Sequence, residues 1–269
     1  MNNVIALENV SYRYYSKVLA LNDINLQVNK GEIFCIMGQN GSGKSTLLNI
    51  INGLILPESG HVAFNGTPLT KASLEDKVFN THLRQSMGYI FQNPDVQLFC
   101  PTVFDELLFG PLQMNMPQEK AVERGEAMLE ALGIEELKDR PVYMLSGGEK
   151  KRVAIAAVLT LNPDILLIDE PLSDLDPKTQ TFFTELLLEL NRAGKTIVFA
   201  THHLDLIDHL QPRMAVLGAD HRIQKTGTAH DILTDKAFLV SVNLIHEHMH
   251  KHGEKTHSHF HSHYIFHEH

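Results

Sequence analysis

Residues 38–46 read Gly38-Gln39-Asn40-Gly41-Ser42-Gly43-Lys44-Ser45-Thr46, and this stretch decides the fold. It follows an apolar run at 33–37 and precedes a helix-like run at 47–51. The spacing fits the phosphate-binding loop pattern G-x-x-x-x-G-K-[ST] in full. Glycines let backbone N–H groups approach a polyphosphate because no Cβ blocks the way, and the following helix directs its positive end at the anion. The pattern predicts a polyphosphate site at the end of a buried strand.

Four side chains carry the chemistry of this predicted site. Lys44 can reach the β- and γ-phosphates as a mobile charge, and the Ser45 hydroxyl is placed to ligate Mg²⁺. The apolar run at 165–168 ends at Asp169 and Glu170. Ligands bind at the carboxyl ends of parallel strands, so we expect both acids beside the loop. Asp169 is predicted to hold Mg²⁺, and Glu170 to orient or deprotonate the water that attacks the γ-phosphate.

The composition limits the classes of protein to which the chain can belong. The chain has 269 residues, 43% of them hydrophobic, which suffices for a substantial core. A formal net charge of −9 argues against a general nucleic-acid binder, although a local basic patch could hide in that average. The two cysteines, Cys35 and Cys100, form no paired framework and favour a reducing compartment. No signal peptide is expected, and no apolar run approaches the ~18 residues of a membrane span.

The periodicity along the chain predicts an α/β protein with a helical insertion. Short strands are expected at 4–7, 24–28, 33–37, 61–64 and 87–91, with residues 67–86 as an exposed connection. The pattern is helical over about 95–161. Continuous apolar strands at 165–168 and 196–200, with a helix over about 178–192 between them, indicate a parallel sheet covered on both faces.

A second anion-binding element is predicted at Leu145-Ser146-Gly147-Gly148-Glu149. Ser146 and Glu149 have the spacing of a capping box, which exposes the glycine N–H groups at a helix start. By itself a capping box is weak evidence, because many helices have one. Since the chain already has one phosphate loop, we expect this element to bind the nucleotide held by another subunit.

These stretches together resemble the ATP-binding cassette (ABC) family over residues 4 to about 230. Residues 38–46 match its Walker A loop, residues 145–149 its signature, and residues 165–170 its Walker B strand. Gln92 stands at the Q-loop position, and His202 stands at the position of the switch histidine. Ser173-Asp174-Leu175-Asp176 stands where the D-loop belongs.

The resemblance implies an α/β P-loop NTPase fold. Its core has a mostly parallel sheet, an antiparallel β subdomain and a helical insertion subdomain at about 95–161. The implied ATPase domain covers residues 1–240. A histidine-rich, flexible tail covers residues 241–269.

The resemblance also implies roles for individual residues, with ATP and Mg²⁺ as ligands. Tyr14 is the expected adenine-stacking aromatic, although the tyrosines at 12–15 could equally cover the sheet. The expected catalytic residues are Glu170, His202 and Gln92, and the expected Mg²⁺ ligands are Ser45, Gln92 and Asp169. The expected ATP-binding residues are Tyr14, Gly38, Gln39, Asn40, Gly41, Ser42, Gly43, Lys44, Ser45, Thr46, Ser146, Gly147 and Gly148. Asp174 departs from the small residue frequent at its position, and His203 stands where Asp is common.

Residues 91–99, 102–106 and 109–111 resemble one branch of the family, the ATPases of energy-coupling-factor importers, and most closely those for cobalt or nickel. The variant Glu149-Lys150-Lys151-Arg152, in and after the signature, fits the same branch. That likeness implies a homodimer or a heterodimer with another ABC ATPase, integral membrane subunits as partners, no nucleic acid, and a peripheral place on the cytoplasmic face of the membrane. Residues 96–112 are then candidates for the surface that contacts the membrane subunits. Alternatively, Leu98, Phe99 and Phe109 are ordinary core of the helical subdomain.

Three other functions stay open from the sequence. The importer could carry another substrate, such as a vitamin. The chain could be a soluble ABC ATPase acting on DNA or ribosomes, but the acidic charge and the lack of a long heptad arm count against that. It could also store metal ions through its tail, which the ATPase motifs make a secondary role at most.

The tail is distinguished by its histidines, which make up ten of the last 24 residues. A polar segment with few aliphatic residues is not expected to fold alone. Neutral imidazole suits Ni²⁺, Co²⁺ and Zn²⁺, so we expect the tail to buffer or sense the imported ion without selecting cobalt over copper or zinc. The candidate ligands are His246, His248, His250, His252, His257, His259, His261 and His263.

Overall fold

A computed structural model describes residues 3–173, 175–252 and 255–262. For residues 246–252 and 255–262 it describes the backbone alone. The strands are β1 (Asn3–Tyr14), β2 (Val18–Asn29), β3 (Ile33–Gly38), β4 (Ser59–Phe64), β5 (Thr67–Pro68), β6 (Met87–Ile90), β7 (Ile165–Asp169), β8 (Thr196–Thr201), β9 (Arg213–Leu217), β10 (Ile223–Thr228), β11 (Ile245–His252) and β12 (Lys255–Ser262). The helices are α1 (Lys44–Ile51), α2 (Lys71–Glu75), α3 (Lys77–Ser86), α4 (Val103–Gln113), α5 (Gln118–Leu132), α6 (Gly147–Leu159), α7 (Pro177–Arg192), α8 (Leu204–Leu210), α9 (Ala229–Leu233) and α10 (Lys236–Ser241).

The central sheet has six strands in the order β10-β9-β3-β8-β7-β6. Neighbouring strands from β9 to β6 pair in parallel, and β10 pairs antiparallel with β9 at the edge. Every residue of β7 and β8 is buried. This confirms the mostly parallel, doubly covered sheet expected from their continuous apolar sequences.

The two faces of the central sheet belong to different cores. Along β3, Phe34 and Ile36 join one core cluster, whereas Cys35 and Met37 join the other. This alternation follows from the two-residue period of a strand. The first core connects β3 with α1 and with a four-stranded antiparallel sheet of order β2-β1-β4-β5. The second contains residues from α4, α5, α6 and α7, so the helical insertion covers the opposite face.

Residues 67–86, which the sequence predicts to be an exposed connection, instead contain β5, α2 and α3. The helices start at side-chain caps. The Thr70 hydroxyl accepts a hydrogen bond from Ser73 N–H, and the Asp76 carboxylate accepts one from Phe79 N–H. Leu83 of α3 is buried in the first core. Most of the segment is exposed, as expected, but it has regular structure because these caps satisfy the free N–H groups of the two helix starts.

The tail also differs from expectation. Where the sequence predicts a segment without regular structure, β11 and β12 pair antiparallel residue for residue. The expected boundary at residue 240 falls within α10, and Leu244 and Ile245 lie in the second core. Alternation of histidine with other residues at every second position is compatible with strand pairing. The flexibility of the tail stays a prediction.

Within the described parts of the chain, no helix is both long and apolar enough to cross a membrane.

Candidate nucleotide site

The site lies where three parallel strands end at one edge of the central sheet. Met37 near the end of β3 pairs with Thr201 at the end of β8, and Asp169 at the end of β7 pairs with Ala200. The loop after β3, the acids after β7 and the histidine after β8 therefore meet, as expected for carboxyl ends of parallel strands.

The glycine-rich loop wraps its own lysine. Gly43, the N-cap of α1, has φ 109°, and a Cβ there would overlap the carbonyl oxygen of Ala20. Only glycine fits this conformation and this close approach. The buried Lys44 Nζ donates to the carbonyl oxygens of Gly38 at 2.9 Å and Gln39 at 3.4 Å. Lys44 is thus held inside the loop, next to the start of α1.

Glu170 is buried and surrounded by partners. Its φ of 45° is unusual for a residue with a side chain, and its N–H donates to the Ala200 carbonyl at 2.9 Å. Its Oε1 lies 2.7 Å from His202 Nδ1 and 3.5 Å from Lys44 Nζ, and its Oε2 accepts from Thr201 Oγ1 at 3.1 Å. A left-handed conformation at a strand end, held by neighbouring contacts, is typical of functional positions.

The charge state of Glu170 follows from two opposing effects. Burial alone would raise the pKa of this carboxyl. The hydrogen bond with His202 and the charge of Lys44 outweigh burial and hold the pKa below its usual value. Glu170 is therefore an ionised carboxylate that can accept a proton.

The surroundings of Asp169 fit a magnesium ion. The carboxyl is buried, its Oδ1 has no hydrogen-bond partner among the described residues, and the Ser45 hydroxyl donates to the carboxylate. Burial raises the pKa of Asp169, although the bond from Ser45 opposes this. A buried oxygen without a partner beside a hydroxyl suits a cation that prefers oxygen ligands.

A cavity of about 530 Å³ opens over the loop. Tyr14, Lys44, Gln92 and Glu170 are among its lining residues. The Tyr14 hydroxyl lies 3.1 Å from Thr46 Oγ1, which holds the ring at the rim of the loop. The structure thus brings these four expected site residues into one space.

Sequence reasoning missed other lining residues. His221 lines the cavity, and its Nδ1 lies 3.2 Å from the Ser42 carbonyl oxygen. Val18 and Ala20 also line it, from the start of β2. No local pattern marks these residues, and His221 follows the loop by 179 positions. Only the approach of the β9–β10 connection to the loop reveals its place.

The second predicted anion-binding element, at residues 145–149, is not part of this cavity. Ser146 caps α6 through the predicted capping box: its hydroxyl accepts from Glu149 N–H, and Glu149 Oε2 accepts from Ser146 N–H at 2.7 Å. Ser146, Gly147 and Gly148 are not among the lining residues of the cavity. Apart from the adjacent residues and the backbone of α6 itself, a Cβ at Gly147 or Gly148 would meet no atom within 4 Å. Packing within the fold therefore does not require glycine at either position.

Helix α6 is tied to the loop that carries Gln92. The buried Lys151 Nζ donates to the carbonyl oxygens of Phe91 at 3.1 Å and Gln92 at 3.3 Å. The Gln97 side chain accepts from Phe91 N–H at 3.1 Å and donates to the Ala154 carbonyl at 2.9 Å. The start of α6 and Gln92 are thus fixed relative to one another.

Asp174 and His263 lie outside the described residues. Six of the tail histidines stand opposite one another in the register of β11 and β12, as the pairs His246–His261, His248–His259 and His250–His257. His252 stands opposite Lys255.

The family model and the relatives that match this chain all indicate the same family. The family model described as "ABC transporter" matches residues 21–173. The nickel import ATP-binding protein NikO of Rhodobacter capsulatus is 41% identical, with 91% of this chain and 97% of the relative covered. The energy-coupling factor transporter ATP-binding protein EcfA of Methanosphaera stadtmanae is 38% identical, with coverage of 91% and 86%.

Solved structures agree with this. The structure of cbiO1 from Clostridium perfringens, part of the ABC transporter complex cbiONQ, matches with a TM-score of 0.76 and 36% identity, over 91% of this chain and 96% of that one. The dimeric ATP-binding cassette MJ0796 bound to ADP and Pi matches with a TM-score of 0.75 and 31% identity, over 84% and 98%.

Proposed function

Since the chain belongs to the ABC transporter family, as an ATP-binding subunit with ATPase activity, we propose that it energises an energy-coupling-factor importer of nickel or cobalt ions. One observation carries the ATPase assignment: the loop lysine, two buried acids and a histidine meet at one sheet edge beside a cavity. Support for the importer type comes from the EcfA relative, and support for the ion comes from the NikO relative.

The side chains divide the work of hydrolysis. Lys44 exchanges its loop carbonyl partners for phosphate oxygens, and the loop N–H groups bind the same anion. Glu170 accepts the proton of the attacking water, and His202 stabilises charge that develops on the γ-phosphate. Ser45, Gln92 and Asp169 would hold Mg²⁺, which neutralises charge on the β- and γ-phosphates when bound. Tyr14 would stack on the adenine ring.

The nucleotide site is completed by a second subunit. ABC ATPases form dimers, as the MJ0796 cassette does. The exposed start of α6 in this chain, where neither glycine is required by packing, is the surface that would meet the nucleotide of the partner. A head-to-tail pair related by two-fold symmetry places Lys44 of one chain opposite Ser146 of the other.

An apolar surface near α4 would contact the membrane subunits at the cytoplasmic face. Of the three residues left open by the sequence, Leu98 is core at 7% exposure, whereas Phe99 and Phe109 are 66% and 40% exposed. Their rings contact edge to face at 4.8 Å, and Val96 and Leu112 beside them are also exposed. Adjacent exposed apolar side chains are a common mark of a protein interface.

The histidine tail would bind the transported ion. Residues two apart lie on the same face of a strand, and opposite residues have Cβ atoms about 4.5–5.5 Å apart. The three opposed histidine pairs of β11 and β12 therefore share one face of the hairpin. Imidazole suits a divalent transition-metal ion, although by itself it does not select cobalt over zinc or copper.

Uptake of radiolabelled ions by cells that lack this subunit tests the proposal. Restoring the chain should restore nickel or cobalt uptake at low external concentration, and the Lys44→Ala chain, expressed at the same level, should not. ATP hydrolysis by the purified chain should also rise when membrane subunits recovered by pull-down are added. Unchanged ion uptake with stimulated hydrolysis would favour an importer of another substrate, such as a vitamin. No stimulation and no membrane partner would favour a soluble ABC ATPase.

A further inference from the structure

Three possible metal ligands converge beside the nucleotide site. Glu170, His202 and His203 each offer one ligand atom, and these atoms all lie within 4.8 Å of one another. The His202 and His203 rings lie 4.3 Å apart between centroids, tilted by 31°. Glu170 is buried, and both histidines are partly buried. The three side chains therefore form a compact set rather than a scatter of surface groups.

The donor types indicate which ions the set would accept. Two imidazoles and one carboxylate suit zinc, nickel or cobalt, whereas magnesium prefers oxygen ligands. Metal–ligand distances of about 2.0–2.2 Å require ligand atoms about 3–3.5 Å apart, so movements of about 1 Å would close the set. Water or a phosphate oxygen could complete the coordination.

His203 is the third member of this set and follows His202 directly in the chain. It is the N-cap of α8, yet its side chain makes no capping hydrogen bond. Asn, Asp and Ser are favoured at an N-cap. A histidine here adds an imidazole beside His202 without contributing to the helix start.

We propose that Glu170, His202 and His203 bind a divalent transition-metal ion, and that this binding stops ATP hydrolysis. The ion would occupy the carboxylate that accepts the proton of water and the imidazole that stabilises the γ-phosphate charge. Nickel or cobalt entering the cell would thereby inhibit its own import. The feedback role rests on the proposed importer function, whereas the binding site rests on the geometry of the three side chains.

The variant His203→Asn tests the site. Asn is a good N-cap and a poor ligand for these ions, so the basal ATPase of the full chain should persist. With free Ni²⁺ fixed by a chelator buffer at constant Mg-ATP, half-inhibition of the variant should need at least ~10-fold more Ni²⁺. Equilibrium dialysis should find one equivalent fewer of bound Ni²⁺ per chain. The chelator buffer keeps the tail from depleting the ion.

His209→Asn is the matched control, because His209 is exposed on the same helix and lies outside the set. It should be inhibited like the unchanged chain. Equal inhibition of all three chains would mean that Ni²⁺ acts by replacing Mg²⁺ on ATP, and would overturn the proposal. If the melting temperature of His203→Asn is lower than that of the unchanged chain, the inhibition of His203→Gln by Ni²⁺ and the dialysis result test the proposal instead. Failure of the uptake experiment would refute the importer and leave this binding result unchanged.

Discussion

At the scale of single residues, Glu170 shows how the site holds a charge out of water. A buried carboxylate without partners would become neutral. Here His202, Thr201 and Lys44 surround both oxygens and favour the ionised form. Lys44 is shared between Glu170 and the loop, since its Nζ also donates to the carbonyl oxygen of Gly38. A phosphate that takes over Lys44 would weaken its ion pair with Glu170, which would leave the acid more basic when the nucleotide is present.

Glu170→Gln is expected to separate binding from chemistry. The amide keeps the shape of the side chain but cannot accept the proton of water, so hydrolysis should slow by on the order of 10²–10⁴. ATP affinity should stay the same because Lys44 and the loop remain. A steady-state assay and a fluorescent-nucleotide titration measure the two quantities, and Lys44→Ala is the contrasting variant that loses affinity. Wild-type turnover in Glu170→Gln would remove Glu170 from its role.

At the scale of elements, the C-terminal hairpin is joined to the domain in a defined way. Leu244 and Ile245 pack into the second core, and Asn243 Nδ2 donates to Gln39 Oε1 of the phosphate loop at 3.3 Å. The histidine-rich segment of the tail begins only at His246. The core anchor and the histidine segment are therefore separate, and one can be removed without the other.

Removal of residues 246–269 should leave basal ATPase and thermal stability intact, because the buried anchor at 244–245 stays. Binding of several equivalents of Ni²⁺ near neutral pH should be lost, down to the equivalent held near His203. Calorimetry measures the stoichiometry, and a chain of full length with Gln in place of the tail histidines controls for length. Ion uptake should change only at metal extremes. An unchanged nickel stoichiometry would show that the tail is not the metal site.

At the scale of the whole molecule, the two predicted phosphate-binding elements of the chain lie apart from each other, as expected if each belongs to a different nucleotide site of a dimer. The cavity over Lys44 is lined by the loop, and Ser146, Gly147 and Gly148 at the start of α6 are not among its lining residues. Lys151 and Gln97 connect α6 to the loop of Gln92. The predicted signature element is thus tied to the segment whose Gln92 lines the cavity over Lys44.

Mixing two inactive chains should restore activity in a head-to-tail dimer. Lys44→Ala and Ser146→Arg chains together form one intact site per mixed dimer. With half of the dimers mixed and one of two sites working, up to about a quarter of wild-type hydrolysis is expected. The matched control mixes Lys44→Ala with the double variant Lys44→Ala/Ser146→Arg, which has no intact site. Activity in neither mixture would count against the head-to-tail arrangement.

Much of the site could be predicted from the sequence, because many of its residues lie in short continuous segments. The loop at 38–46 has local geometry that only glycines permit, as the φ of 109° at Gly43 shows. The capping box at Ser146 and Glu149 is also local, and both hydrogen bonds form. The apolar strand before Asp169 was predictable because a strand buried on both faces has a continuous apolar sequence.

Tertiary structure alone decided the features that depend on residues far apart in the chain. His221 reaches the Ser42 carbonyl across 179 positions, and Glu170 meets Thr201 and His202 because β7 and β8 are neighbours. The burial of Leu98 but not Phe99 likewise depends on which way each side chain faces. Sequence patterns record the preferences of neighbouring residues, whereas these contacts follow from strand order and packing, which no short segment encodes.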